Sequence, residues 1–506
     1  RLPCPIMLDP AKERAFYGTM MFSRFLVPVV LTPFLLGSIL VAADDTGPDL
    51  SKMKVQDIFG QYCANCHGKK FEGGQGGSLV DGEWKHGGSD EDLFRSIAKG
   101  NLELGMTPWE GILSHDQIRA MVIFIREKEK ETKVKGMNFP VPEPGKVTKT
   151  KHHNYIFEMV VEKGLENPWA LAFLPDGRKL VTEKAGGIRI IEADGTLNPK
   201  PVAGTPEVIL HGQGGMLEVA PHPDYASNGW IYLGFSDGWR EEIAGKKKPK
   251  IHTQTAVVRG RIKDHAWVDQ EWIYKADKAH YTSSGAHFGT RFVLDQGYLY
   301  FIIGERGGLE IAQDLNNPAG KIFRVHDDGR VPKDNPFVGQ EGALPEIWSY
   351  GHRNPQGLDI DSRDGQLYDS EHGPRGGDEL NLIRRGANYG WPLITYGMNY
   401  NGTPMTSETH RKGMDQPVTY WTPSIATCGL SFYRGDRFSK WKNDLFVGAL
   451  KQKEVRRLRL IDQEVVEQEI ILKDYGRVRD VTDAPDGYLY VILNDPDCIV
   501  RLTPQD

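Results

Sequence analysis

A short pattern, a turn rich in glycine, asparagine or aspartate followed by alternating apolar residues, recurs six times between residues 175 and 491. Its copies are Pro175-Asp176-Gly177-Arg178-Lys179-Leu180-Val181, Asn228-Gly229-Trp230-Ile231-Tyr232-Leu233 and Gln296-Gly297-Tyr298-Leu299-Tyr300-Phe301, then Asp364-Gly365-Gln366-Leu367-Tyr368, Asn443-Asp444-Leu445-Phe446-Val447 and Asp486-Gly487-Tyr488-Leu489-Tyr490-Val491. Alternation with period two is the mark of a strand, and the preceding turn residues bound it. Intervals of roughly sixty residues leave room for four strands with long loops, and a unit repeated in this way buries its apolar face only against its neighbours. The expected fold class is therefore an all-β six-bladed β-propeller. A last strand near Cys498 to Thr503 is expected to pair with one near Tyr155 to Val161, closing the ring and removing its open edges. A β-sandwich would not need so regular a repeat.

The repeats occupy only part of a 506-residue chain, which is too long for one ordinary core. The 57 glycines and 10% aromatic residues suit a turn-rich β domain, and helix-favouring runs are scarce after about residue 130. A net charge of −6 gives a phosphate backbone nothing to hold, so no nucleic-acid partner is expected. The first twenty residues look like sequence upstream of a start at Met20 or Met21. Arg24, the apolar stretch Phe25 to Leu40 and the small residues Val41-Ala42-Ala43 then read as a signal peptide. Residues 1–43 are assigned to this extension and signal, and the protein is expected to be periplasmic or otherwise exported. The rival is an uncleaved membrane anchor, but Pro28, Pro33 and Gly37 interrupt a run already short for a bilayer. Cys4 falls outside the mature chain, and Cys428 and Cys498 read as two buried thiols, although an exported compartment permits them to pair.

The segment Cys63-Ala64-Asn65-Cys66-His67 is C-x-x-C-H, in which two thiols attach a haem and the adjacent imidazole ligates its iron. A dithiol redox pair leaves His67 unexplained, and a zinc site lacks a second cysteine pair nearby. The sixth ligand is assigned to Met106, in Gly105-Met106-Thr107-Pro108-Trp109, a loop kept out of helix by its proline. An amphipathic helix from Ser114 to Lys128 follows, in which Met121 reads as core packing; His86 and His115 are weaker rivals for the iron. The order of helix, haem motif, methionine loop and closing helix resembles a class I cytochrome c domain over residues 50–130, small and all-α, carrying haem c. Residues 131–153, rich in lysine and carrying Pro140, Pro142 and Pro144, read as a stiff linker that tethers the haem to residues 154–506.

Propellers place ligands at one mouth of the central channel, in loops beside the inner strands. Arg477 and Arg479, two apart on an extended segment, point to one face and suit a multiply carboxylated ligand, with Lys451 a third cation at a strand end. Taken alone, they also read as surface cations balanced by Asp474 and Asp480. The segment Gly351-His352-Arg353-Asn354-Pro355-Gln356-Gly357 is denser in polar groups than packing requires. Ser370 through Glu379 is flexible, acidic and rich in carbonyls, so it can offer oxygen to a hard cation such as calcium or serve as an exposed turn. His287, between small residues in Gly285-Ala286-His287-Phe288-Gly289-Thr290-Arg291, is a candidate general base or a structural histidine. Gln213, in His211-Gly212-Gln213-Gly214-Gly215-Met216, comes from yet another blade.

Together with Gly304-Glu305-Arg306-Gly307, Glu371-His372-Gly373-Pro374 and Asn388-Tyr389-Gly390-Trp391-Pro392, these motifs resemble the soluble quinoprotein glucose and aldose sugar dehydrogenases, the glucose/sorbosone dehydrogenases, over nearly all of residues 155–505. The resemblance implies bound pyrroloquinoline quinone (PQQ) held by Lys451, Arg477 and Arg479, with Gln213, Arg353 and Asn354 completing its hydrogen bonds. It implies calcium on the carbonyls of Gly373 and Pro374, and His287 as the base in oxidation of an aldose at C1 to its lactone. Arg353 would join calcium in stabilising the charge that develops on the quinone. Trp421 resembles an aromatic residue that contacts the sugar, and His372 stands where glucose-oxidising members carry glutamine. Electrons would pass to the fused haem and then to a soluble carrier or terminal oxidase. The rivals are a relative that oxidises another alcohol or aldehyde, a propeller without PQQ that binds a sugar or a partner for the cytochrome, and a calcium-dependent lactonase, which leaves the haem unexplained.

Overall fold

The computed structural model describes residues 52–135 and 142–505. The signal-peptide reading, Cys4 and the middle of the linker segment lie outside them. Among the described residues the strands form six antiparallel sheets, and each of the six sequence repeats supplies the second strand of one sheet. Blade one has three strands, Pro168–Phe173, Lys179–Glu183 and Ile188–Ile191. Blades two to five have four each and begin with Met216–Pro221, Phe292–Asp295, Pro355–Asp361 and Thr427–Phe432. Blade six combines both ends of the domain: Arg477–Asp483, Leu489–Asn494 and Cys498–Pro504 are followed outward by Asn154–Val161. Pairing of Leu502 with Phe157 and of Val500 with Met159 closes the ring as expected.

A fifth strand, Val147–Lys149, adds to the outer edge of blade six, so part of the segment read as linker is sheet. Apolar layers between the sheets hold the blades together. Leu180, Ile190, Met216, Leu233, Phe235 and Ala256, all at most 2% exposed, form the layer between blades one and two. Burying a side chain of Leu, Ile or Phe size stabilises by about 1.5–3 kcal/mol, and several such layers recur around the ring.

The first strands of the six blades touch in a closed circle and form the wall of the channel. Arg291, which directly precedes the first strand of blade three, lies across that channel and touches all five other blades. Its guanidinium donates to Glu218 of blade two at 2.8 Å and to the Gln356 carbonyl of blade four at 2.9 Å. It lies 3.9 Å from Cys428 Sγ of blade five, donates to the Arg479 carbonyl of blade six at 3.0 Å, and sits 4.2 Å from the Trp169 ring centre of blade one. Five of the six inner strands carry a register shift near their first residues, for instance between Pro355 and Gly357 and between Val478 and Asp480. Such bulges bend a strand and re-aim the side chains beside them.

The small domain is helical. Residues 55–67 form a helical stretch with a wide π turn at Phe59–Cys63, which ends on the haem-binding motif. Asp90–Lys99 is started by a capping box between Ser89 and Asp92, and His115–Lys135 closes the domain. Met121 is 1% exposed in a core with Ile58, Phe59, Phe71 and Leu93, as its spacing implied. The last helix departs from expectation. It runs to Lys135, and every residue from Gln117 to Ile125 is buried, so it is not a one-sided amphipathic helix there. No helix among the described residues is long and apolar enough to cross a membrane.

Candidate functional site

At one end of the channel the inner strands begin and the second strands finish, and the loops there enclose a cavity of about 280 Å³. All six blades line it. Gln213 enters from just before blade two, Asn354 from just before blade four, Lys451 from the end of the second strand of blade five, and Arg477 and Arg479 from the start of blade six. The register shift in blade six falls at Arg479, so strict alternation is broken, yet both arginines still face the cavity.

His287 precedes the cavity-lining Phe288 and is held in place by its neighbours. Its main-chain N–H donates to the Gln213 side-chain oxygen at 2.8 Å, and its backbone has a φ of 52°. Gly304 makes this approach sterically feasible, because a Cβ there would lie 2.5 Å from the His287 carbonyl oxygen and 2.9 Å from Asn354 Oδ1. Arg306, 1% exposed, braces the same loop by donating to the carbonyls of Ala286 and Ser284. The imidazole Nδ1 bonds to the Glu305 carboxylate, which is fully buried. A carboxylate only accepts, so Nδ1 carries the proton and Nε2 keeps its lone pair. Burial pushes the His287 pKa down, Glu305 opposes this, and Arg353 adds to the lowering.

The cavity lining is cationic. Among the described residues neither Lys451, Arg477 nor Arg479 forms an ion pair with a carboxylate; Arg479 instead donates to Asn494 at 3.3 Å and to Cys428 Sγ at 3.6 Å. Lys184 adds a fourth positive group, bonded to the Gly212 carbonyl at 2.8 Å, and burial together with Arg479 lowers its pKa. The side-chain nitrogen of Asn354 is buried without a hydrogen-bond partner. Uncompensated cations and an orphan donor around one cavity suit a planar ligand with several carboxylates and carbonyls. On these observations the residues fit PQQ.

The turn after Glu371 belongs to the same lining. His372 lines the cavity, and its Nε2 bonds to the Thr427 carbonyl at 2.6 Å. Burial, with Arg353 beside it, pushes its pKa down to about 3. Asp378 clamps the turn to blade five: it receives the N–H of Gly373 at 2.9 Å and also bonds to Ser424 and Ala426. Burial raises its pKa to about 6. Arg353 Nη1 donates to the carbonyls of His372 and Gly373 at 2.9 and 2.7 Å, and its Nε is left unpartnered. A cation on the Gly373 carbonyl would therefore share that oxygen with a guanidinium.

In the small domain His67 Nδ1 bonds to the Gly77 carbonyl at 2.9 Å. That acceptor places the ring proton on Nδ1 and leaves Nε2 free for a metal, an arrangement typical of ligating histidines. Cys63, half-buried, ends the π turn and caps the short helix Ala64–His67 that carries the exposed Cys66. Met106 is half-buried in a loop cinched by two main-chain bonds of 2.8 Å to Asn101.

Not every expected residue reaches the site. Trp421 is 3% exposed in the outermost strand of blade four, paired through its backbone with Asp378, and its indole donates to Gln468 at 3.1 Å, so its side chain is not part of the cavity lining. Cys428 and Cys498 are separate buried thiols in blades five and six. Glu305, Asp378, Arg306, Lys184 and Trp169 received no role from the sequence. Glu305 stood inside a quoted motif, and its place beside His287 is the signal that motif carried.

Comparison with known proteins agrees with this architecture. Residues 165–501 match the family model described as glucose / sorbosone dehydrogenase, and residues 51–125 match that of cytochrome c oxidase, cbb3-type, subunit III. An aldose sugar dehydrogenase of Escherichia coli is 42% identical over 341 residues, covering 66% of this chain and 89% of that protein. Quinoprotein glucose dehydrogenase B of Acinetobacter calcoaceticus is 29% identical, over 70% of this chain and 88% of its own. Among solved structures, the apo form of the soluble E. coli aldose sugar dehydrogenase is 40% identical with a TM-score of 0.64, covering 69% of this chain and all of that one. The PQQ-bound aldose sugar dehydrogenase of Streptomyces coelicolor is 26% identical with a TM-score of 0.55, over 72% and 99%. A six-bladed propeller with this ring of motifs, preceded by a cytochrome c domain, makes the chain a member of the glucose/sorbosone dehydrogenase family of oxidoreductases.

Proposed function

We propose that the protein is an exported dehydrogenase that oxidises an aldose at C1 to its lactone, using PQQ in the propeller cavity and passing electrons to haem c in the small domain. The observation that supports this reading is that Lys451, Arg477 and Arg479, none paired with a carboxylate among the described residues, line one cavity with Gln213, and that Gln213 in turn holds the main-chain N–H of His287, whose ring bonds to Glu305. When bound, PQQ supplies an electrophilic quinone carbonyl that accepts hydride. The three cations, with Gln213 and Asn354, would hold its carboxylates and carbonyls. His287 Nε2 takes the proton of the C1 hydroxyl, and Glu305 stabilises the imidazolium that results. Arg353, held by the carbonyls of His372 and Gly373, would supply positive charge to stabilise the negative charge that develops on the acceptor. Calcium is assigned to the Gly373 and Pro374 carbonyls. The first of these carbonyls also accepts from Arg353, so an ion held there would share that oxygen with a guanidinium.

Cys63 and Cys66 would attach the haem, and His67 and Met106 would ligate its iron. A methionine ligand raises the haem potential, as an acceptor of substrate electrons requires. The partner that would accept the electrons is a soluble carrier or a terminal oxidase. The test is to load the purified protein with PQQ and calcium, supply a panel of aldoses and follow haem absorbance. Haem reduction that needs sugar, PQQ and His287 is the expected result. Absence of sugar oxidation under every combination, with haem intact, would leave the propeller as a binding module.

A further inference from the structure

The closing helix of the haem domain, His115–Lys135, is buried on two sides because two domains cover it. One side packs on the haem domain's own core. The other meets the propeller loop that follows the cavity-lining His372. Arg375 grips Glu127 with two of its nitrogens, Nε at 3.0 and 3.1 Å from the two carboxylate oxygens and Nη2 at 2.7 Å. Its guanidinium also lies 5.7 Å from the Phe124 ring centre. The next residue, Gly376, faces Ile123 so closely that a Cβ would lie 3.2 Å from its Cγ2.

The loop is interlocked as well as touched. Arg375 and Met398 exchange two main-chain hydrogen bonds of 2.9 Å, and the Met398 side chain is fully buried in the core cluster of the haem domain. The main-chain N–H of Val55, at the head of the haem-bearing helical stretch, donates to the Gly402 carbonyl at 2.8 Å. Both segments of the haem domain that frame the haem motif and the closing helix are thus bonded to propeller loops. A carrier that swings on a tether would not bury a propeller methionine in its core.

We infer that the haem domain is docked as a fixed wall behind the quinone site, and that the Glu127–Arg375 pair positions the 372–377 loop for electron transfer between the two domains. The inference rests on the dehydrogenase reading. Each sugar oxidised releases two electrons and two protons, while the haem iron takes one electron at a time, ferric to ferrous. A one-electron acceptor outside the chain must therefore reoxidise the iron twice per turnover, and the protons leave to solvent. Under this arrangement the transfer rate depends on the dock, and linker length has little effect on it.

Glu127→Arg sets two guanidinium groups against each other without touching any cavity residue. In the holoprotein it is expected to slow sugar-driven haem reduction at least tenfold while dye-linked sugar oxidation changes less than twofold. Amide exchange in residues 117–127 and 373–377 should rise together. The charge-swapped Glu127→Arg/Arg375→Glu variant should recover both the rate and the protection, which separates loss of the pair from misfolding. Haem reduction at the wild-type rate in Glu127→Arg, an equal fall in dye-linked oxidation, or no recovery in the swap would each overturn the inference. If wild-type protein oxidises no aldose with the dye, the dehydrogenase reading fails instead, and the exchange data still decide whether the domain is docked.

Discussion

The main-chain N–H of His287 donates to the side-chain oxygen of Gln213, 74 residues earlier, at 2.8 Å, and so ties the loop entering blade three to the loop entering blade two. His287 sits at a φ of 52°, a conformation that a bulky residue keeps only when its surroundings enforce it. Gln213→Ala removes that restraint as well as a cavity contact. We expect kcat for sugar oxidation to fall at least tenfold, with thermal unfolding shifted by only a few degrees, measured by steady-state kinetics and calorimetry.

Proton transfer should report the His287 environment. Burial and Arg353 hold its pKa below the ordinary 6.5, so the imidazole is neutral and ready to accept a proton at neutral pH. The rate should be low in acid, rise as pH passes the lowered pKa, and be level by neutrality. Glu305→Gln removes the interaction that raises this pKa. The acid limb should then move to lower pH while the plateau drops by about 10²–10⁴-fold, because the imidazolium formed in the reaction loses its counter-charge. An acid limb that moves to higher pH would contradict the assignment.

The cation wall predicts an affinity effect separable from folding. Lys451→Ala deletes a charge-assisted bond to a ligand carboxylate, worth roughly 1.5–3 kcal/mol, so PQQ should bind about tenfold to a hundredfold more weakly. Calorimetric titration of apoprotein gives the number. Unchanged affinity would remove Lys451 from the binding set.

Replacing Met106 by His exchanges a thioether for a stronger imidazole donor on the iron. The haem should remain covalently attached but fall in midpoint potential, read by redox titration of its absorbance. A potential equal to wild type would mean that Met106 is not the ligand.

Arg291 carries the largest stability prediction. Arg291→Met leaves Glu218 and Asp480 facing each other without their shared cation, a loss of about 3–5 kcal/mol. The propeller's urea midpoint, followed by tryptophan fluorescence, should drop accordingly, with the haem spectrum unaffected at low denaturant. A midpoint within error of wild type would show that the channel does not depend on this hub.

What could be read along the chain was whatever repeats or sits close in sequence. The six turn-and-strand copies announced six blades, and Cys63-Ala64-Asn65-Cys66-His67 announced the haem, because period-two alternation and ligand spacing are properties of a few consecutive residues. The segment near Tyr155 was legible as the partner of the last strand, since a ring has only one pair of free edges to join. Tertiary structure alone decided the rest. Trp421 went to an outer strand although its neighbourhood resembles a substrate contact, and Arg291 became a hub only once five other blades surrounded it. The helix His115–Lys135 reads as one-sided until a second domain covers its other face. Local patterning records which side of a segment avoids water; which remote surface supplies the cover is settled when the ring closes and distant loops are brought within bonding distance.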